Sequence, residues 1–161
     1  MDKERQPKET DAIKHKLESF AALQRKIDNA IKRLESLTLT MDSPSAPNLT
    51  GLPSGGGDGS SKTERQVIRK LELEEKIRRM EQDERELRHE LEELIDLMEK
   101  PDEQIVIQMR YLDGVKWWTI STTLFGEEPD YDSYEKRYLK RTFKIHGSAL
   151  QSLTRIYKSR Q

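Results

Sequence analysis

The 161-residue chain has no cysteine. Disulfides, thiolate metal centres and cysteine nucleophiles are therefore excluded. Aromatic residues make up only 6% of the chain and hydrophobic residues 33%, against 37% charged. That supply is thin for one compact core, but it suits long solvated helices carrying a narrow apolar seam. No apolar run approaches the roughly 20 residues that span a bilayer. The first ten residues, MDKERQPKET, lack the apolar centre of a signal peptide, so a cytoplasmic protein with no membrane partner is expected. Catalytic apparatus is also missing: there is no glycine-rich phosphate loop and no Ser/His/Asp constellation at recognisable spacing. His15, His89 and His146 lie on separate segments with no carboxylate cluster at metal-ligand spacing. We therefore expect no enzyme, no metal and no cofactor, and His146 reads as a packed core histidine.

What the chain does contain is helical periodicity. Ile13, Leu17, Phe20, Leu23, Ile27, Ile31, Leu34 and Leu37 recur at three- and four-residue steps and draw one stripe on a helix. An N-terminal amphipathic helix is expected within 1–39. Residues 40–62 hold Pro44, Pro47, Pro53 and the run SGGGDGSS, which defeat helix and strand alike and read as a flexible linker. Over 63–100, Ile77, Met80, Leu87, Leu91, Leu94 and Met98 stand near heptad spacing among Glu, Lys and Arg, predicting a long coiled-coil-like helix capped by Thr63 and bounded by Pro101. Six polar residues at 81–86 interrupt its seam. The linker is long enough for the two helices to fold back antiparallel within one chain. The competing arrangement is an intermolecular coiled coil, which would make the N-terminal helices a homo-oligomer contact.

The last stretch, 101–161, reads as a separate DNA-binding domain. Ile105, Val106, Met109 and Leu112 share one face of a short helix ended by Asp113-Gly114, glycine tolerating the left-handed conformation of a helix end. A second short helix follows, with Trp117, Ile120, Ser121 and Leu124 on one face and Gly126 at its end. Trp117 should lie in the core, with Trp118 pointing elsewhere. A third helix is predicted from about Asp132, using Asp132 and Glu135 as a capping box. Its packing face should carry Leu139, Phe143, His146, Leu150, Leu153 and Tyr157. The opposite face should carry Arg137, Arg141, Lys144, Ser148 and Arg155, with Lys140 beside them. Residues 131–161 hold eight Lys and Arg against two acids, a net of +6, whereas 63–100 hold nine against thirteen, a net of −4. The overall charge of −1 thus hides a basic end, the electrostatic footprint expected of nucleic-acid binding.

Helix, glycine-containing turn, short helix, loop and basic amphipathic helix describe a helix-turn-helix, whose last helix enters the major groove of double-stranded DNA. The segment Arg110-Tyr-Leu-Asp-Gly114, followed by Ile120 and Leu124, resembles region four of bacterial sigma factors, which reads the −35 promoter element. The whole layout, together with His146-Gly-Ser-Ala-Leu150, is similar to the RinA and ArpU type regulators of bacteriophages of Gram-positive bacteria. Lys116 stands where the sigma pattern has Ser or Thr, Ser121 replaces its alanine, and Glu127-Glu-Pro-Asp130 lengthens the turn before the third helix. The resemblance implies an all-α, phage-encoded transcription regulator of late genes, with DNA and host RNA polymerase as partners. Expected DNA contacts are Ser133, Lys136, Arg137, Lys140, Arg141 and Lys144. Arg137 and Arg141 would read bases and the lysines meet phosphate, or, in a shifted register, Ser133 with Lys136 or Arg137 would read bases. The alternatives are a DNA-recognition subunit of phage packaging, like a small terminase subunit, and a helical scaffold that binds no DNA.

Overall fold

The computed structural model describes residues 8–42 and 61–161. These residues are all-α: five α-helices and two short turns of other helix types, with no strand among them. The linker expected over 40–62 lies, apart from its two ends, outside the described residues. Helix α1 spans Asp11–Asp42 and α2 spans Lys62–Asp96. Ser61, not Thr63, caps α2: its Oγ accepts the Glu64 N–H at 3.2 Å, and the Ser-x-x-Glu spacing is that of a capping box.

The described chain forms two compact units, and α1 and α2 contribute to both. One unit comprises 24–42 and 61–83. Here Ile27, Ala30 and Ile77 are buried, and Arg33 and Leu37 of α1 line one groove with Arg69, Leu73 and Lys76 of α2. The apolar seams of the two helices therefore cover each other within a single chain. The division after Asp83 falls inside the polar interruption at 81–86.

The other unit comprises 8–23 and 84–161. Its core joins Ile13, Leu17 and Phe20 of α1, Leu91, Leu94 and Ile95 of α2, and Ile107, Tyr111, Leu112, Ala149, Leu150 and Leu153 from the C-terminal region. Residues 101–161 thus share one core with segments far away in sequence. Polar contacts follow the same seams. Lys16 pairs with Glu90, its ammonium lying 5.1 Å from the Tyr157 ring centre, and Lys158 meets Glu9 at 2.7 Å.

Helix α2 stops at Asp96, four residues short of the expected Lys100. The Gln104 side-chain amide donates to the carbonyls of Ile95 and Met98, both at 3.0 Å. The chain can therefore turn before the proline, because the free carbonyls of the helix end have partners. Pro101 then opens α3, Pro101–Ile107, which continues into a π-helical turn, Gln108–Leu112. Gly114 has φ +66, and Val115 N–H donates back to the Met109 carbonyl at 2.8 Å, a Schellman-type end that needs a left-handed residue at this place. Helix α4 covers Trp117–Phe125, a 3₁₀ turn Tyr131–Ser133, and α5 Glu135–Ser159.

Candidate nucleic-acid interface

Helix α5 begins at Glu135, with Tyr134 as its N-cap and no side-chain cap bond. The expected Asp132 capping box is therefore not formed: Asp132 sits in the 3₁₀ turn, one residue before Ser133. The cause is the lengthened turn, which makes a small core of its own. Phe125, Tyr131 and Tyr138 are buried against one another, with Leu124 and Ile145 at their side. The ring centres of Tyr138 lie 5.2 Å from Phe125 and 5.6 Å from Tyr131. The Tyr138 hydroxyl donates to Asp130, and the Thr122 and Tyr131 hydroxyls are hydrogen-bonded at 2.9 Å. The bond to Asp130 raises the Tyr138 pKa, with burial adding to the effect, so this phenol keeps its proton. The insertion is thus pinned to both α4 and α5.

This small core shifts the packing face of α5. The buried stripe runs through Tyr138, Thr142, Ala149, Leu150, Leu153 and Thr154, while Leu139 is half-buried and Phe143 is 43% exposed. Two threonines lie inside because their hydroxyls are satisfied within the helix. Thr142 donates to the Tyr138 carbonyl at 3.0 Å and Thr154 to the Leu150 carbonyl at 2.7 Å, which leaves their methyl groups to pack. Ser148 leaves the cationic face as well. It is half-buried and donates to Glu103 at 2.6 Å, a buried carboxylate in the first turn of α3.

The cations stay outside. Lys136, Arg137, Lys140, Arg141 and Lys144 are all exposed, and at 100° per residue they occupy an arc of about 140° on α5. No ion pair engages any of the five among the described residues. Both arginines lie near aromatic rings, Arg141 over two buried ones and Arg137 near the exposed Tyr134. Arg141 lies 4.7 Å from the Phe125 ring centre and 5.4 Å from that of Tyr138, and Arg137 lies 5.9 Å from that of Tyr134. Stacking restrains a guanidinium plane while leaving its N–H edge free to meet a planar pair of acceptors. The lysines have no such support. Ser133 is exposed but lies before the helix, so it does not share this face.

Trp117 is half-buried, not a core residue. The crossing that it was expected to fill is occupied by Ile120 and Ser121, both fully buried. Trp117 instead stacks edge-on against Phe143 and His146, at 5.0 and 4.9 Å, under the Arg110 guanidinium at 4.9 Å. Trp118 is 48% exposed. His146 is hydrogen-bonded to the Tyr111 hydroxyl at 2.8 Å. Burial, with Lys14 and Arg110 nearby, lowers the His146 pKa to about 4, and burial pushes that of Tyr111 up to about 12. At neutral pH both partners are uncharged, as suits a packed pair.

The Phe125, Tyr131 and Tyr138 cluster and the bond to Asp130 are not evident from the apolar periodicity of the sequence. The cluster's signal was present in the seven-residue spacing of Tyr131 and Tyr138. Among the described residues no group of His, Asp or Glu is placed to hold a metal ion, and no helix is long and apolar enough to cross a membrane. No family model, curated protein or solved structure matches the chain.

Proposed function

We propose that the chain is a sequence-specific DNA-binding transcription regulator, phage-encoded, that recognises late-gene promoters in a sigma-like manner through the first three turns of α5. One observation carries this reading: five exposed cations that form no ion pair among the described residues share the outward face of α5, and two of them are arginines that lie against aromatic rings. Such a face matches a polyanion. Lysines suit phosphate as mobile point charges, and restrained arginines suit the paired acceptors of a guanine edge. The resemblance of Arg110–Gly114 and the residues after it to sigma region four supplies the promoter part of the reading. Host RNA polymerase is the protein partner that it entails.

Selection of bound sequences from a random duplex pool, with the full-length protein, tests the reading and yields the site. Lys140→Ala and Lys144→Ala should weaken binding alike on all sequences, each lowering the salt slope by about one unit. Arg137→Ala and Arg141→Ala should cost about 1–3 kcal/mol on the preferred site and relax discrimination at one base pair. Full affinity and unchanged preference in all four variants would show that α5 does not read DNA. A selected site that leaves a late-promoter reporter silent but lies at a packaging sequence would favour a packaging subunit. Absence of any duplex binding would favour a helical scaffold.

A further inference from the structure

Gly147 lies in the interior of α5, a 25-residue helix, at a place where nothing among the described residues calls for glycine. Its φ is not in the left-handed region, Gly114 being the positive-φ glycine among the described residues. Among the described residues a Cβ built on Gly147 would meet no atom within 4 Å, so no described element approaches too closely for a side chain. The residue is exposed, and glycine is the least favourable residue after proline in a helix interior. Ordinary reasons for a helical glycine are therefore missing among the described residues. By helical geometry Gly147 lies on the same face as the cations, one turn beyond Lys144 and two beyond Lys140.

We infer that the partner's backbone passes in contact with the main chain of α5 at Gly147, so that the binding surface runs from Lys136 to this residue. The inference rests on the DNA-binding reading of the same face and names the ridge that meets it. From Arg137 to Gly147 the helix advances roughly 15 Å at about 1.5 Å per residue, while the major groove is roughly 12 Å wide. A helix that enters the groove by its N-terminal turns and crosses it at an angle, rather than lying along it, meets a sugar–phosphate ridge within that span. Where it does so, the bare backbone at Gly147 lets the ridge come to van der Waals distance, and Lys140 and Lys144 supply counter-charge on the approach. A side chain at this position would hold the ridge away from both lysines.

The test uses the full-length protein with Gly147→Ala and Gly147→Leu, a synthetic duplex of random sequence, and thermal melts alongside. Removing a helix-interior glycine should raise the melting temperature of both variants by about 2–4 °C. Affinity for the duplex should move the other way and in proportion to size: a small loss for Ala and roughly tenfold or more for Leu, a difference of about 1.4 kcal/mol or more. Stability and affinity moving in opposite directions is a result that a merely structural glycine cannot produce. A lower melting temperature in Gly147→Ala would overturn the inference by revealing an internal role for the glycine. Unchanged affinity in Gly147→Leu, with Lys140→Ala still weakening binding, would remove Gly147 from the interface and leave the DNA-binding reading standing. If neither substitution alters binding, the reading of the whole face fails.

Discussion

Replacing Phe20 by alanine should unfold a region that lies far from it in sequence. The Phe20 ring is fully buried in α1 and shares a core with residues of α2, the π turn and α5. The Arg88 guanidinium sits 5.1 Å from its ring centre. Truncating a core phenylalanine costs about 3–5 kcal/mol, and loss of a partly shielded cation–π contact adds about 0.5–1 kcal/mol. Against the roughly 5–15 kcal/mol that holds a typical protein folded, this is a large fraction. For a chain of this length about 2–4 °C of melting temperature is lost per kcal/mol, so the midpoint should fall by about 7–24 °C. The reporter is built in, because Trp117 and Trp118 both lie in α4 and their emission follows the C-terminal region alone. Phe20→Leu, which keeps most of the volume, should recover most of the loss. A tryptophan-monitored melt that stays within about 2 °C of the parent after Phe20→Ala would refute the shared core. Residues 101–161 would then have to fold without α1, as the sequence reading of a separate C-terminal domain implies.

Three further outcomes follow from the same region. Trp117→Ala, which removes edge contacts to Phe143 and His146 and the seat of Arg110, should cost about 1–3 kcal/mol, and Trp118→Ala less than about 1 kcal/mol; equal melting shifts would contradict the burial difference. Ser121 is fully buried and its Oγ has no hydrogen-bond partner among the described residues, so Ser121→Ala should raise stability by about 1–2 kcal/mol in a urea titration; a loss would mean that the hydroxyl is satisfied. His146 is held neutral, its pKa lowered from 6.5 to about 4, so between these values the unfolded chain binds the extra proton. Its contribution is therefore complete above pH 6.5 and lost as the pH falls toward 4, amounting to on the order of 1–2 kcal/mol once solvent screening of the half-buried ring is allowed for. His146→Gln should flatten that part of the stability–pH profile, and an unchanged profile would assign the acid loss to other groups.

The cationic face of α5 was legible because its determinants are local. Arg137, Lys140, Arg141 and Lys144 recur at helical spacing, and long cationic side chains stay in water whatever packs behind them. Gly114 was legible for a similar reason, since a left-handed helix end admits few other residues. The packing face of the same helix was read about one residue out of place at its start, through Leu139 and Phe143 in place of Tyr138 and Thr142. Threonine counts as polar in a periodicity argument, yet Thr142 and Thr154 satisfy their hydroxyls on the preceding turn and pack their methyl groups inward. Tyr138 was ambiguous because its burial depends on Phe125 and Tyr131, which reach it through a turn that local pattern treats only as an interruption. The seat of α1 in the C-terminal core was harder still. The stripe of Ile13, Leu17 and Phe20 was plain, but periodicity states only that a helix has an apolar face and says nothing of what covers it. Residues 24–42 meet residues 61–83 of α2, whereas 8–23 join 84–161, and nothing in the spacing of the apolar residues marks the change near Leu23. On α2 the polar stretch at 81–86 does mark it, because the seam loses its apolar residues there for nearly two turns. The boundary was thus written on one helix of the pair, and only the fold carries it across to the other.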